Sequence, residues 1–198
     1  MAYTTLPTYV TNQLVTAAHA NTYWRDNLNE LFPYAAIGDI AYADATTTLA
    51  ALEIGTSDFE LVSTGTAPSW RSPKKIVIWR VVPFSVALSA GDAQDYWTVP
   101  EELNGYNLVE AHMAVDTTST SGGLSVQIHN ATNSVDMLST PITIDQDECN
   151  SYTAAAQPVV DTSHDDVATG DRLRPDFDDV GTGSEGATII MRFEKPSA

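Results

Sequence analysis

The chain is short of cysteine, of basic residues and of long apolar runs, and each shortage closes off a class of function. Cys149 is the one cysteine in 198 residues. That excludes an intrachain disulfide framework and a cysteine-based zinc site. Its surroundings, DQDECNSY, are rich in carboxylates. Such neighbours disfavour a thiolate, so Cys149 makes a poor nucleophile. Nine Lys and Arg stand against 26 Asp and Glu, for a net charge of −17. Gripping phosphates takes clustered cations, so neither nucleic acid nor an anionic membrane surface is an expected partner. The negative surplus favours solubility and tolerance of salt. No run approaches the roughly 18 apolar residues of a membrane span. Met1–Gln13 has neither a positive n-region nor an apolar h-region, so no secretory signal is expected there.

What is present falls into three textures, expected as segments 1–34, 35–75 and 76–198. In the first, Thr16 is placed to cap a helix starting at Ala17, and Pro33 stops it. Within AAHANTYWRDNLNELF the residues Ala20, Trp24, Asn27, Leu28 and Leu31 recur at helical spacing on one face. A helix of about four turns is marginal alone in water, so the stripe needs a partner. Its near-heptad spacing suits a small bundle of copies as well as packing on its own domain.

The second texture is GDIAYADATTTLAALEIGTSDFELVSTGTAPSW, Gly38 to Trp70. Short apolar pieces alternate with turn residues. Each piece is too short to bury a core alone. Leu49, Leu52, Ile54 and Leu61 are therefore read, with the helical stripe, as residues that pack between chains.

From Ile76 onward short β-rich runs such as IVIWRVVPFSV, LSVQIHNAT and ATIIMRFE are separated by turn signals such as STSGG and GTGSEG. Leu124, Val126 and Ile128 alternate, as do Val109, Ala111, Met113 and Val115. About eight strands so spaced predict an antiparallel β-sandwich, jelly-roll-like. The whole chain is thus expected to be mostly β, with a short N-terminal helix and a small β connector.

Signatures of chemistry are few. No Walker loop, dinucleotide fingerprint, HExxH, GxSxG or CxxC occurs. His112 and His129 interrupt alternating strands and are expected to face outward. Asp176, Asp178 and Asp179 are candidate oxygen ligands for Ca²⁺, without the spacing of a calcium loop, and alternation places Asp176 and Asp178 on one strand face. Tyr96, Trp97, Tyr106 and Tyr152 are candidates for stacking on a sugar, although such rings equally fill cores. Nothing singles out a pair of carboxylates for glycoside cleavage. No cofactor and no enzymatic activity are expected.

Two stretches carry a resemblance. LVTAAHANTYWRDNLNEL (Leu14–Leu31) is similar to the N-terminal helix of many tailed-phage virion proteins, through Val15-Thr16-Ala17, Asn21, Arg25-Asp26-Asn27-Leu28 and Leu31. The Gly38–Trp70 stretch resembles a module of phage tail fibres, more specifically so. It shares Gly38-Asp39-Ile40, Thr48-Leu49-Ala50, Leu52-Glu53-Ile54-Gly55, Leu61-Val62-Ser63 and Thr66-Ala67-Pro68-Ser69-Trp70. The resemblance covers about a third of the chain. It implies a virion structural protein of the tail-fibre type, a homotrimer bound to other virion proteins and presenting a head to a host-surface glycan or protein. A capsid-decorating or head-fibre protein is the alternative within that class. A glycan-binding or glycan-cleaving module is the alternative outside it.

Overall fold

The computed structural model describes residue 8, residues 13–45 and residues 48–196, the side chains of residues 29–31 and 48 excepted. The fold is mostly β, 49% strand against 8% helix. The chain divides into two compact units, residues 1–71 and 72–198.

The first unit opens with the expected helix. Thr16 Oγ1 accepts from the His19 backbone N–H, which caps α1 (Ala17–His19) as the sequence predicts. The next six residues, Ala20–Arg25, form a π-helical turn before α2 (Asp26–Leu31). There the Asp26 N–H reaches back five residues to the Asn21 carbonyl. A π turn holds more residues than an α turn, so side chains past it are rotated from their α-helical directions. The expected stripe is broken accordingly. Asn27 is buried, its amide donating to the Tyr23 carbonyl at 2.9 Å, while Trp24 and Leu28 are 50% and 55% exposed. The side chain of Leu31 lies outside the described residues.

Two hairpins follow. β1 (Ile40–Ala45) pairs antiparallel with β2 (Thr48–Leu52), and β3 (Glu60–Ser63) with β4 (Pro68–Arg71). Asp39 ties the pieces together. Its carboxylate accepts from the amides of Ala35 and Ala36 at 2.8 Å and from that of Ile54 at 3.2 Å. Those bonds, Ala36 first, hold its pKa below the ordinary carboxylate value. Trp70 donates its indole N–H to the Glu53 carbonyl at 2.7 Å. Its ring lies against Gly55, where a Cβ would stand 2.4 Å from ring carbon Cδ2. The connector is thus held by bonds within one chain.

The second unit contains β5 (Lys74–Ala87), β6 (Trp97–Thr98), β7 (Tyr106–Thr117), β8 (Leu124–Asn130), β9 (Val135–Asp136), β10 (Leu138–Thr140), β11 (Ile142–Ile144), β12 (Val159–Val160), β13 (Asp166–Val167), β14 (Arg172–Asp179) and β15 (Glu185–Glu194). One sheet runs β5–β15–β7–β13 and the other β6–β14–β8–β11. Taken in chain order, these eight strands pair first with last, second with seventh, third with sixth and fourth with fifth, all antiparallel. That winding is a jelly roll. The expected alternation fills its core: Leu124, Val126 and Ile128 meet Ala187, Ile189, Met191 and Phe193, all buried. Trp97 of one sheet lies 6.2 Å from Phe193 of the other, centroid to centroid.

Val109 corrects the sequence reading. The register slips where Arg192 faces Glu110 but Phe193 faces Leu108. Val109 is the extra residue of this bulge and is exposed. Leu108 lies in the core before the bulge, and Ala111, Met113 and Val115 after it. Strict alternation counted through a bulge lands on the wrong face.

Candidate functional site

A cluster of titratable groups lies on the outer face of the β5–β15–β7 sheet. His112 points away from the core, as alternation predicts, yet it is buried rather than exposed. The Tyr152 ring covers it, stacked at 3.9 Å between centroids. The imidazole Nδ1 lies 2.9 Å from Ser151 Oγ, and Nε2 lies 3.3 Å from Glu110 Oε1. Arg192 pairs with the other oxygen of Glu110. A notch of about 100 Å³ opens beside them, walled by Ile76, Ile190, Arg192 and Tyr152.

A serine, an imidazole and a carboxylate in a row have the composition of a hydrolytic triad, but not its access. Ser151 has no exposed surface, and its Oγ already accepts from the Met113 amide at 3.0 Å. A nucleophile must reach a substrate carbonyl with a free lone pair. What this arrangement does is pin the 149–154 loop to β7. Ser151 N donates to the Met113 carbonyl and Val115 N to the Cys149 carbonyl, completing the latch. Burial pushes the His112 pKa down, and the charge of Glu110 pulls it back up. The sequence reading missed this group because Ser151 lies 39 residues from His112. Only the fold joins them.

The aromatic candidates do not form one platform. Tyr106, the first residue of β7, lies in the core, and Trp97, in β6, is half-buried between the sheets. Tyr96 is exposed, but the Arg172 guanidinium already lies over its ring, 3.9 Å from the centroid. Tyr152 is exposed on one side and stacked on His112 on the other.

The acidic candidates are likewise engaged or apart. Asp176 is buried, accepts from the Ala93 amide at 2.9 Å and pairs with Arg174 at 3.0 Å. The register slips at Asp178, so alternation no longer relates it to Asp176. Asp179 caps the turn at Gly181 through a 3.0 Å bond. Among the described residues no three His, Cys, Asp or Glu converge as ligands for an ion. His129 pairs with Asp136 at 2.6 Å, and His164 with Asp161 at 2.9 Å. Each is a local tie across a turn or hairpin.

The residues read as packing between chains present a different picture. Trp24, Leu28, Leu49, Ile54 and Leu61 are exposed. Leu52 and Ala20 are half-buried. Ile37 adds a nearly naked side chain that the sequence reading did not single out. Among the described residues of unit 1–71, no apolar side chain is fully buried. A larger hollow, about 480 Å³, runs along the β3–β4 turn and is lined only by uncharged residues such as Leu61, Val62 and Pro68. No helix of the described residues is long and apolar enough to cross a membrane. No family model and no curated protein matches the chain.

Proposed function

We propose that this protein is a structural component of a tailed-virus particle, a short tail fibre or spike that acts by assembly. Residues 13–71 associate with copies of themselves as a trimer and attach to other virion proteins. The jelly roll projects as the head and meets a host-surface glycan or protein. The observation that carries this reading is that no apolar side chain is fully buried among the described residues of unit 1–71. A unit that buries so little cannot offset the entropy of ordering its backbone, so it gains its stability from partners. Trp24, Leu28, Ile54 and Leu61 are the side chains such a partner covers. The resemblance supports the same reading, because residues that carry it are structural: Asp39, Gly55 and Trp70 hold the connector. The jelly roll is compatible with it, since that fold serves viral and carbohydrate-binding proteins alike, an argument from fold analogy alone.

The test is the solution mass of the full chain by sedimentation equilibrium. A trimer at micromolar concentration that falls apart in Trp24→Ala/Leu28→Ala is the expected result. A wild-type chain that stays monomeric throughout that range overturns the reading.

A further inference from the structure

Sheet edges are where one chain recruits another, and natural proteins keep them short or charged. Three of the four jelly-roll edges obey this: β13, β6 and β11 have two, two and three residues. The fourth edge, β5, has fourteen. Its far half is broken by register slips around Val82 and by Pro83. Its first half, Lys74–Arg80, pairs with β15 in unbroken register and with no second strand among the described residues of this unit. There Ile76 and Ile78 stand outward at 67% and 72% exposure, beside the half-buried Ile190. The 149–154 loop covers the neighbouring part of this same sheet face through Tyr152 and stops short of β5.

Charge singles out the same patch. Lys74, Arg80 and Arg192 surround the isoleucines, paired in turn to Glu194, Asp116 and Glu110. Three cations against three carboxylates leave this patch neutral, in a chain of −17. Copies of so acidic a chain repel one another over most of their surface. They repel one another least at a neutral patch such as this, which Ile76 and Ile78 also make apolar.

We infer that the Lys74–Arg80 half of β5 is a contact between copies of this chain, with Ile76 and Ile78 at its centre. The inference rests on the self-association proposed above and adds a second contact, in the head. Chain connectivity links the two. Arg71 closes the first unit and Lys74 opens β5, three residues on, a span of at most about 11 Å. Copies joined through residues 13–71 therefore hold the starts of their β5 strands close together, at high effective concentration.

The experiment is sedimentation equilibrium and thermal melting on the full chain, wild type beside Ile76→Asp/Ile78→Asp and the milder Ile78→Ser. Both substitutions sit on exposed positions, so the melting curve of the head is expected to stay close to wild type. Dissociation constants are expected to rise at least tenfold for the double variant and less for Ile78→Ser. An oligomeric wild type whose dissociation constant neither variant changes overturns this contact and leaves assembly through residues 13–71 standing. A monomeric wild type overturns both.

Discussion

Replacing Gly55 by Ala tests why the connector needs that glycine. A Cβ there would lie 2.4, 2.5 and 2.8 Å from three atoms of the Trp70 ring. The ring has little freedom to retreat while its N–H is bonded to the Glu53 carbonyl at 2.7 Å. Gly55→Ala therefore expels the indole or displaces the backbone. Losing the hydrogen bond costs about 1 kcal/mol. Relieving the overlap costs about 1–3 kcal/mol, as in overpacked cores. The sum, about 2–4 kcal/mol, is large for a unit in which no described apolar side chain is fully buried, so β3–β4 is expected to lose its docking on the 53–55 turn. The assay is the NMR resonance of the Trp70 indole N–H, with amide exchange along β4. Gly65→Ala is the control: φ is +88° and no atom lies within 4 Å, so it strains the turn without touching Trp70. A Trp70 indole signal unchanged in Gly55→Ala refutes the reasoning.

Three further outcomes follow from the head. Phe193→Ala removes a fully buried ring shared by both sheets and is expected to lower stability in urea by about 3–5 kcal/mol; a loss under about 1 kcal/mol means the sheets do not meet there. Ser151→Ala strips the partner from His112 Nδ1 and the Met113 amide and is expected to cost about 1–3 kcal/mol, with faster amide exchange over 149–154; unchanged exchange removes the latch. His112 has a folded-state pKa below its ordinary 6.5, chiefly through burial. The unfolded chain therefore takes up that proton first as pH falls, so this contribution is full above about 6.5 and is lost below it. Melting temperatures of wild type and His112→Gln are expected to diverge less as pH drops from 6.5; parallel curves contradict the assignment.

Much of this protein is local and was legible along the chain. Thr16 caps the helix because a hydroxyl before Ala17 can reach the His19 amide without help from elsewhere. Leu124, Val126 and Ile128 face the core because a strand repeats every two residues. The run of short strands and turns specified a β-sandwich, and the single cysteine excluded an intrachain disulfide. Periodicity failed where the backbone gained a residue. The π turn at Ala20–Arg25 rotated Trp24, Asn27 and Leu28, and the Val109 bulge changed the phase of β7. Neither irregularity follows from hydrophobic pattern, because each is set by what the element packs against. Tertiary structure alone decided the rest. It chose which strands pair across the two sheets, buried His112 beneath Tyr152, and joined Ser151 to a histidine 39 residues away. Among the described residues of the jelly roll it also left β5 as the one long sheet edge, since an edge is defined by the strand that does not arrive beside it.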